Sequence, residues 1–414
     1  MGPGIITGAS DDDPSGIATY SQAGAAYGYA LLWTMPLTLP LMSAVQEISA
    51  RIGRITGRGL AGNIRQHYPN WLLYPVVLLL VMANAINLGA DIGAMGDALR
   101  LLVGGPGLVY AAGFAVLCVI LEVFVSYPRY CSFLKWLTPV LFSYVLTVFL
   151  VHVPWKMAIK GLVLPQLQKT GNYWATVIAV FGTTISPYLF FWQSSQETEE
   201  LRADPGEKTL DIAPEQAAQA FSRIRVDTYV GMTASNVAAL FMIIAAAATL
   251  NASGITDVES STQAAQALRP LGRAAFFCFS IGIVGTGLLA VPVLAGSAAY
   301  AVGEALKWPT GLDRKPLDAK GFYAVLAIAT LIGLLLNFPL VQRWTHLTPI
   351  KALFWSAVIN GVTAVPIMVV MMLMSSNPKV MGKFTVSRML GGVGWIATIA
   401  MLAASTGMFL TWKS

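Results

Sequence analysis

The sequence predicts an all-α protein that crosses a membrane about eleven times, on three observations. Of 414 residues, 56% are hydrophobic and only 11% are charged, less than half of the roughly 25% usual in soluble domains. The apolar residues gather in runs such as WLLYPVVLLLVMANAINLGA and ALFWSAVINGVTAVPIMVVMMLM, each about the 20 residues an α-helix needs to cross the hydrocarbon core. Those runs are apolar all round, whereas strands of a membrane barrel alternate apolar with polar. The opening segment has no basic start and carries three acids, so it does not read as a cleaved signal peptide.

Eleven hydrophobic segments are expected, at 3–30, 32–56, 71–98, 107–127, 132–153, 173–197, 227–250, 272–305, 321–340, 348–374 and 388–411. A charged connection at 198–226, containing ETEELRADPGEK, separates five segments from six. This divides one transmembrane domain into a first repeat at 3–153, a second at 173–374 and an extra helix at 388–411. With the N-terminus placed in the cytoplasm, most of the 26 basic residues fall in inside loops: Arg51, Arg54, Arg58 and Arg65, then Arg129 and Lys135, and further groups around Arg202, Lys307 and Lys379. The bias follows the positive-inside rule and places the C-terminus outside. The net charge of +6 therefore reads as topology, and no nucleic-acid partner is expected. Trp71, Tyr74, Trp155 and Trp344 read as anchors at the membrane interface.

Two segments are interrupted. The first reads GPGIITGASDDDPSGIATYSQAGAAYGYALLW, with Gly8, Pro14 and Gly16 around the acids. The sixth reads WATVIAVFGTTISPYLFFWQSSQE, with Gly182 and Pro187 at its middle. A proline removes a backbone N–H and clashes with the preceding turn, and lipid cannot satisfy the freed backbone groups. Interrupted helices at matching places in two halves point to a transport site between inverted repeats.

Asp11, Asp12 and Asp13 are the sharpest chemical feature. A carboxylate at mid-bilayer costs about 2.5–3.5 kcal/mol on the insertion scale, so three in a row would be hard to retain without compensation. Successive residues on a helix point about 100° apart, so the three cannot all face one ion. Asp13, beside the break, is the first candidate ligand; Asp11 or Asp12 would line a water-filled approach or act through a bound water. At the second break Thr183 offers a carbonyl, Ser186 and Tyr188 offer oxygen, and Gln193 lies further along the same helix. No histidine, cysteine or methionine stands at either break. Hard oxygen ligands suit magnesium, calcium or manganese. Ser15, Gly16 and Ser186 are small and leave room for an ion that keeps part of its water shell, as magnesium does. Asn87 and Asp91, four apart and so on one helix face, either support this site, line its pathway or join helices. Glu47, Glu122 and Glu304 fall near segment ends and read as interfacial structure.

Other chemistry is not indicated. Cys118, Cys131 and Cys278 lie in separate apolar segments, which argues against a disulfide framework or a metal cluster. His67, His152 and His346 sit at loops or segment ends and form no relay or catalytic pair. No H-E-x-x-H or Ser–His constellation suggests an enzyme, and no cofactor is expected.

At the two breaks the sequence resembles the NRAMP family of divalent metal-ion transporters. GPGIITGASDDDPSGIATYSQAGAAYGYALLW followed by ISARIGRITGRGLAGNIRQHYP is similar to that family's first two helices, and GTTISPYLFFWQSS to its sixth. Weaker similarity in the third, seventh and eighth segments extends the likeness over most of the chain. The resemblance implies a LeuT-type fold, an inverted five-helix repeat with broken helices one and six, and a metal site between those two. The family's Asp-Pro-Gly-Asn is Asp13-Pro14-Ser15-Gly16 here, so an aspartate ligand carries over to Asp13 while an asparagine ligand becomes Gly16. Its Met-Pro-His is Ser186-Pro187-Tyr188, so the sulfur ligand is lost; the family's carbonyl ligand corresponds to Thr183 and a second histidine to Gln193. The aspartate and glutamate of helix three, linked there to proton movement, correspond to Asn87 and Ala90, with Asp91 adjacent. Loss of soft ligands and proton carriers resembles the NRAMP-related magnesium transporter branch, which implies a partly hydrated Mg2+, with Mn2+ or Ca2+ as alternatives, moved without proton coupling across a bacterial inner membrane. The competing expectation is a cation-coupled symporter of an organic solute on the same fold. Its substrate carboxylate would be repelled by three aspartates. A channel would be built from unbroken helices around a pore.

Overall fold

The computed structural model describes residues 3–125, 141–341 and 348–411; Arg129, Cys131, Lys135, Trp344, His346 and the first part of the expected fifth segment lie outside these. In chain order the described helices are α1 (Pro3–Asp11), α2 (Pro14–Tyr27), α3 (Thr34–Thr56), α4 (Leu60–His67), α5 (Asn70–Val103), α6 (Gly107–Phe124), α7 (Phe142–Leu150) and α8 (Trp155–Val163). They continue with α9 (Gly171–Thr184), α10 (Pro187–Ala203), α11 (Ala217–Thr249), α12 (Ala274–Leu306), α13 (Lys320–Leu335), α14 (Pro349–Ser375) and α15 (Arg388–Thr411), joined by short helical turns. Among the described residues, seven helical stretches are long and apolar enough to cross a membrane. The remaining expected segments are shorter, broken or more polar: α1–α2 is interrupted by acids, and α3 carries Glu47, Arg51 and Arg54 in its last turns.

Packing relates the two halves. The third segments, α5 and α12, lie against each other at the centre. The first broken segment, α1–α2, packs on α11, the second segment of the second half; α10, from the other broken segment, packs on α3, the second segment of the first half. Each interrupted helix is thus braced by an unbroken helix of the opposite repeat. This is the inverted five-helix-repeat architecture, with α15 added against α9, α14 and α3. Gly8 allows the close approach of α1 and α11, because a Cβ there would run into the backbone of Gly231; small residues at a crossing let membrane helices meet at their backbones. Large apolar side chains such as Leu78, Met82, Val109, Phe149, Leu331 and Leu402 point outward, the arrangement that faces lipid.

Two local features differ from the sequence reading. Proline alone does not break these helices: Pro40, Pro75, Pro292 and Pro366 all sit inside continuous helices. At the two true breaks the residue before proline is extended, with ψ of 171° at Asp13 and 133° at Ser186, and proline opens a new helix, where its missing N–H costs nothing. The charged connection is also shorter than 198–226. Helix α10 runs on to Ala203 and α11 starts at Ala217, because Arg223 pairs with Glu197 at 2.6 Å and also with Glu200, so charge pairing carries both helices beyond the apolar run.

Candidate cation site between two helix breaks

The two interruptions lie against each other inside the bundle. The Tyr188 hydroxyl, in the first turn of α10, is 3.3 Å from Asp13 Oδ2 and 3.3 Å from the carbonyl oxygen of Ser10. From α9, Thr183 Oγ1 lies 3.1 Å from where a Cβ on Gly16 would be. Each break ends one helix and begins another, so carbonyl-rich C-terminal ends of α1 and α9 converge with the N-terminal ends of α2 and α10. The C-terminal ends carry partial negative charge and favour cations.

Asp13 is the hub. It caps α2, its Oδ1 accepting from the Gly16 amide at 2.8 Å and from the Ser15 hydroxyl at 2.5 Å. Its Oδ2 accepts from Asn87 Nδ2 at 3.2 Å as well as from Tyr188. Asn87 is held in turn by the Ser356 hydroxyl, which donates to its Oδ1 at 2.8 Å. Asp91, one turn further along α5, is fully buried, and neither carboxyl oxygen has a hydrogen-bond partner among the described residues.

Asp11 and Asp12 turn away from Asp13 toward α11. The Ser235 hydroxyl lies 2.6 Å from Asp11 Oδ2 and 3.1 Å from Asp12 Oδ1, so one hydroxyl proton serves two carboxyl groups. Asp11 Oδ1 is buried without a described partner. Every ion pair among the described residues involves other carboxylates. Four buried carboxyl groups thus stand without a basic partner, although no three His, Cys, Asp or Glu side chains among the described residues converge as a metal-binding group. The oxygens able to complete a coordination sphere at Asp13 are hydroxyls, carbonyls and water.

The second break modifies two expectations. The Ser186 hydroxyl points back along α9, 2.6 Å from the Gly182 carbonyl and 3.0 Å from the Thr183 carbonyl. One hydroxyl proton serves both carbonyls, so the Thr183 carbonyl is partly engaged by Ser186. Space at Gly16 is narrow, because a Cβ would meet Thr183 Oγ1 at 3.1 Å and the Tyr20 ring at 3.3 Å. Gln193 is placed elsewhere: its Oε1 accepts from Thr7 at 2.5 Å, about two turns down α1 from Asp13. Of the ten positions singled out in the sequence, Asp13, Gly16, Thr183, Ser186, Tyr188 and Asn87 gather at the breaks with Asp91 close behind. Asp11 and Asp12 form a second cluster, and Gln193 a third contact. The sequence reading missed Ser235, Ser356 and Tyr20. Ser235 was accessible as one of a polar series, Asp227, Thr228, Gly231 and Ser235, that recurs on one face of the seventh segment.

Outside the breaks, a cavity of about 430 Å3 opens between α2, α9 and α14, lined by Ala18, Gln22, Thr176, Asp257 and Lys351. Ala18 stands one helical turn beyond Pro14, so this cavity approaches the site from the far side of the bundle. Trp71, Tyr74 and Trp155 are exposed on the perimeter, and Cys118 and Cys278 are free.

Three comparisons bear on identity. A family model described as natural resistance-associated macrophage protein-like matches residues 4–411. The chain is 28% identical over 423 residues to the divalent metal cation transporter MntH of Klebsiella pneumoniae subsp. pneumoniae, covering 99% of this chain and 93% of that protein. In structure it is similar to a mutant manganese transporter of Eremococcus coleocola, with a TM-score of 0.79 and 17% identity over 98% of this chain and 84% of that one. It is also similar to Mhp1, a nucleobase-cation-symport-1 family transporter, with a TM-score of 0.60 and 14% identity over 100% and 93% of the two chains.

Proposed function

Because the chain belongs to the Nramp family, we propose that it is a secondary transporter of divalent metal ions that moves Mg2+, bound with part of its water shell between the two helix breaks, without coupling to protons. The divalent-metal part follows from the family and from a full-length relative named for that activity. The observation that carries the magnesium reading is the donor set. Asp13, the Thr183 carbonyl, Ser186 and Tyr188 supply oxygen alone, and neither interrupted stretch, 11–16 or 183–188, contains methionine, cysteine or histidine. Oxygen ligands hold hard cations, and magnesium keeps several waters. Thioether and imidazole, which favour softer metals, are missing where Ser186 and Tyr188 stand.

Asp13 already accepts four hydrogen bonds, which favours contact through bound waters over direct bidentate ligation. Water molecules can donate to and accept from these groups while the ion stays at the centre. Asp11, Asp12 and Asp91 add negative potential that draws the cation inward. Asn87 holds Asp13 by its amide and receives Ser356, so at that position a fixed hydrogen bond replaces an acid. This supports uncoupled transport. The placement of basic side chains supports an N-terminus in the cytoplasm, a C-terminus outside and residence in a bacterial inner membrane. The two repeats are assigned to 3–153 and 173–374, with 388–411 outside them.

The test is a flux assay in sealed proteoliposomes comparing Mg2+, Ca2+, Mn2+ and Cd2+. Magnesium should enter with saturable kinetics, and cadmium should compete weakly. Cadmium transported with much higher efficiency than magnesium contradicts the oxygen-site reading.

A further inference from the structure

On the face that carries most of the basic residues, some are paired with carboxylates and others are not. Arg51, Arg54, Arg223 and Arg225 are matched to glutamates 47, 207, 197 and 47 respectively. Arg58, Arg65, Arg202 and Lys307 form no ion pair with any carboxylate among the described residues, and these four line one cavity of about 410 Å3. Its wall comes from both repeats: the end of α3 and α4 from the first, the ends of α10 and α12 from the second. Retention of basic residues on the inner face explains how many there are. It does not explain why four unmatched ones surround one hollow.

Three details show that the cavity is built. Arg65 donates to the Ala305 carbonyl, Arg58 to Gln66 Oε1, and Arg202 to the Thr310 carbonyl at 3.0 Å. Neutral acceptors fix each guanidinium and leave further N–H groups available. Glu304 lines the same cavity and accepts from the amides of Gly59 and Gly62 at 3.0 and 2.8 Å, so four basic groups surround one carboxylate that the start of α4 holds in place. Lys307 is the only non-glycine residue among the described ones with a left-handed backbone, at φ 61°. Glycine or asparagine is the usual choice at such a helix end, and a lysine there accepts strain while placing an ammonium at the cavity mouth.

We propose that this cavity binds a phosphate-bearing anion, bridging the two repeats at the inner end of the protein. Guanidinium forks and an ammonium are the groups that recognise phosphate, and basic pockets at this depth bind anionic headgroups. Lipid headgroups and free di- or polyphosphates share that chemistry. The proposal stands apart from the transport reading, because its readout is binding.

The experiment uses the full chain. Inorganic pyrophosphate is titrated into detergent-purified protein by calorimetry, and phospholipid retained from phosphatidylglycerol- and cardiolipin-containing membranes is counted by native mass spectrometry. Lys307→Gly removes charge and suits the backbone angle, Arg202→Gln removes a second charge, and Lys208→Gln is a control on the same face away from the cavity. Each cavity variant should weaken pyrophosphate binding about fivefold, with the control unchanged; this outcome assigns a free phosphate. If pyrophosphate does not bind the wild type, retained anionic lipid should fall in the two cavity variants alone, assigning a headgroup. Neither ligand held by the wild type, or equal losses in the control, overturns the proposal.

Discussion

Asp13 commits both carboxyl oxygens to protein donors, so its side chain is fixed before any ion arrives. Removing it takes away the negative charge, the cap of α2 and the anchor of Tyr188 together. Asp13→Ala is expected to abolish Mg2+ uptake in proteoliposomes, read by a lumenal magnesium dye; uptake within twofold of wild type would remove Asp13 from the site. Tyr188→Phe keeps the ring in its buried place and deletes only the hydroxyl, so uptake should fall by about tenfold, the scale of one hydrogen bond to a charged group. Ser186→Met tests ligand softness. A thioether at this position should raise cadmium affinity measured by calorimetry while magnesium uptake declines. Gly16→Asn, which would restore an amide oxygen, is expected to disturb Thr183 and Tyr20 because a Cβ already crowds both. The Asp13 site was readable because three acids in an apolar segment have few structural explanations. Ser356 was not, because a serine inside a membrane helix has the same appearance whether it bonds only its own backbone, as Ser405 does with Met401, or also reaches a polar side chain on another helix, as Ser356 does with Asn87.

At the scale of helices, the two breaks depend on what surrounds each proline. Four other prolines sit within helices that continue through them, so proline marked candidate positions without deciding them. An acid or serine just before the proline, extended and able to take part in a neighbouring network, accompanies the real interruptions. The connection between α10 and α11 was misread in length for a related reason: its charges pair with each other across the two helices, a relation that linear hydropathy does not contain. The α1–α11 crossing gives a direct test of packing. A Cβ on Gly4 would come within 2.7 Å of the Thr228 amide nitrogen, and Gly8 meets Gly231 as closely. Gly8→Leu should therefore push α1 off α11, lowering the midpoint of thermal unfolding by several degrees, as overpacking by about 1–3 kcal/mol implies. An unchanged midpoint would show that α1 shifts freely.

For the molecule as a whole, the all-helical membrane plan with two interrupted helices was legible because hydropathy and the spacing of breaks are linear properties of the chain. The coming together of Asp13 with Tyr188 spans 175 positions, and no periodicity predicts which pair will meet. The proposed uncoupled transport is tested at this scale. With Asn87 fixed between Asp13 and Ser356, Mg2+ influx into vesicles containing a pH dye should leave the lumenal pH unchanged, and acidification in step with influx would contradict uncoupled transport. The central claim is that a divalent ion is held by oxygen between the two breaks. Crystals soaked in Mn2+, with anomalous scattering recorded at the manganese edge, test it most directly. The strongest peak should lie between Asp13 and the Thr183–Ser186 turn, with water in part of its coordination sphere; a peak only beside Asp11, Asp12 and Ser235, or only at the surface, would contradict it.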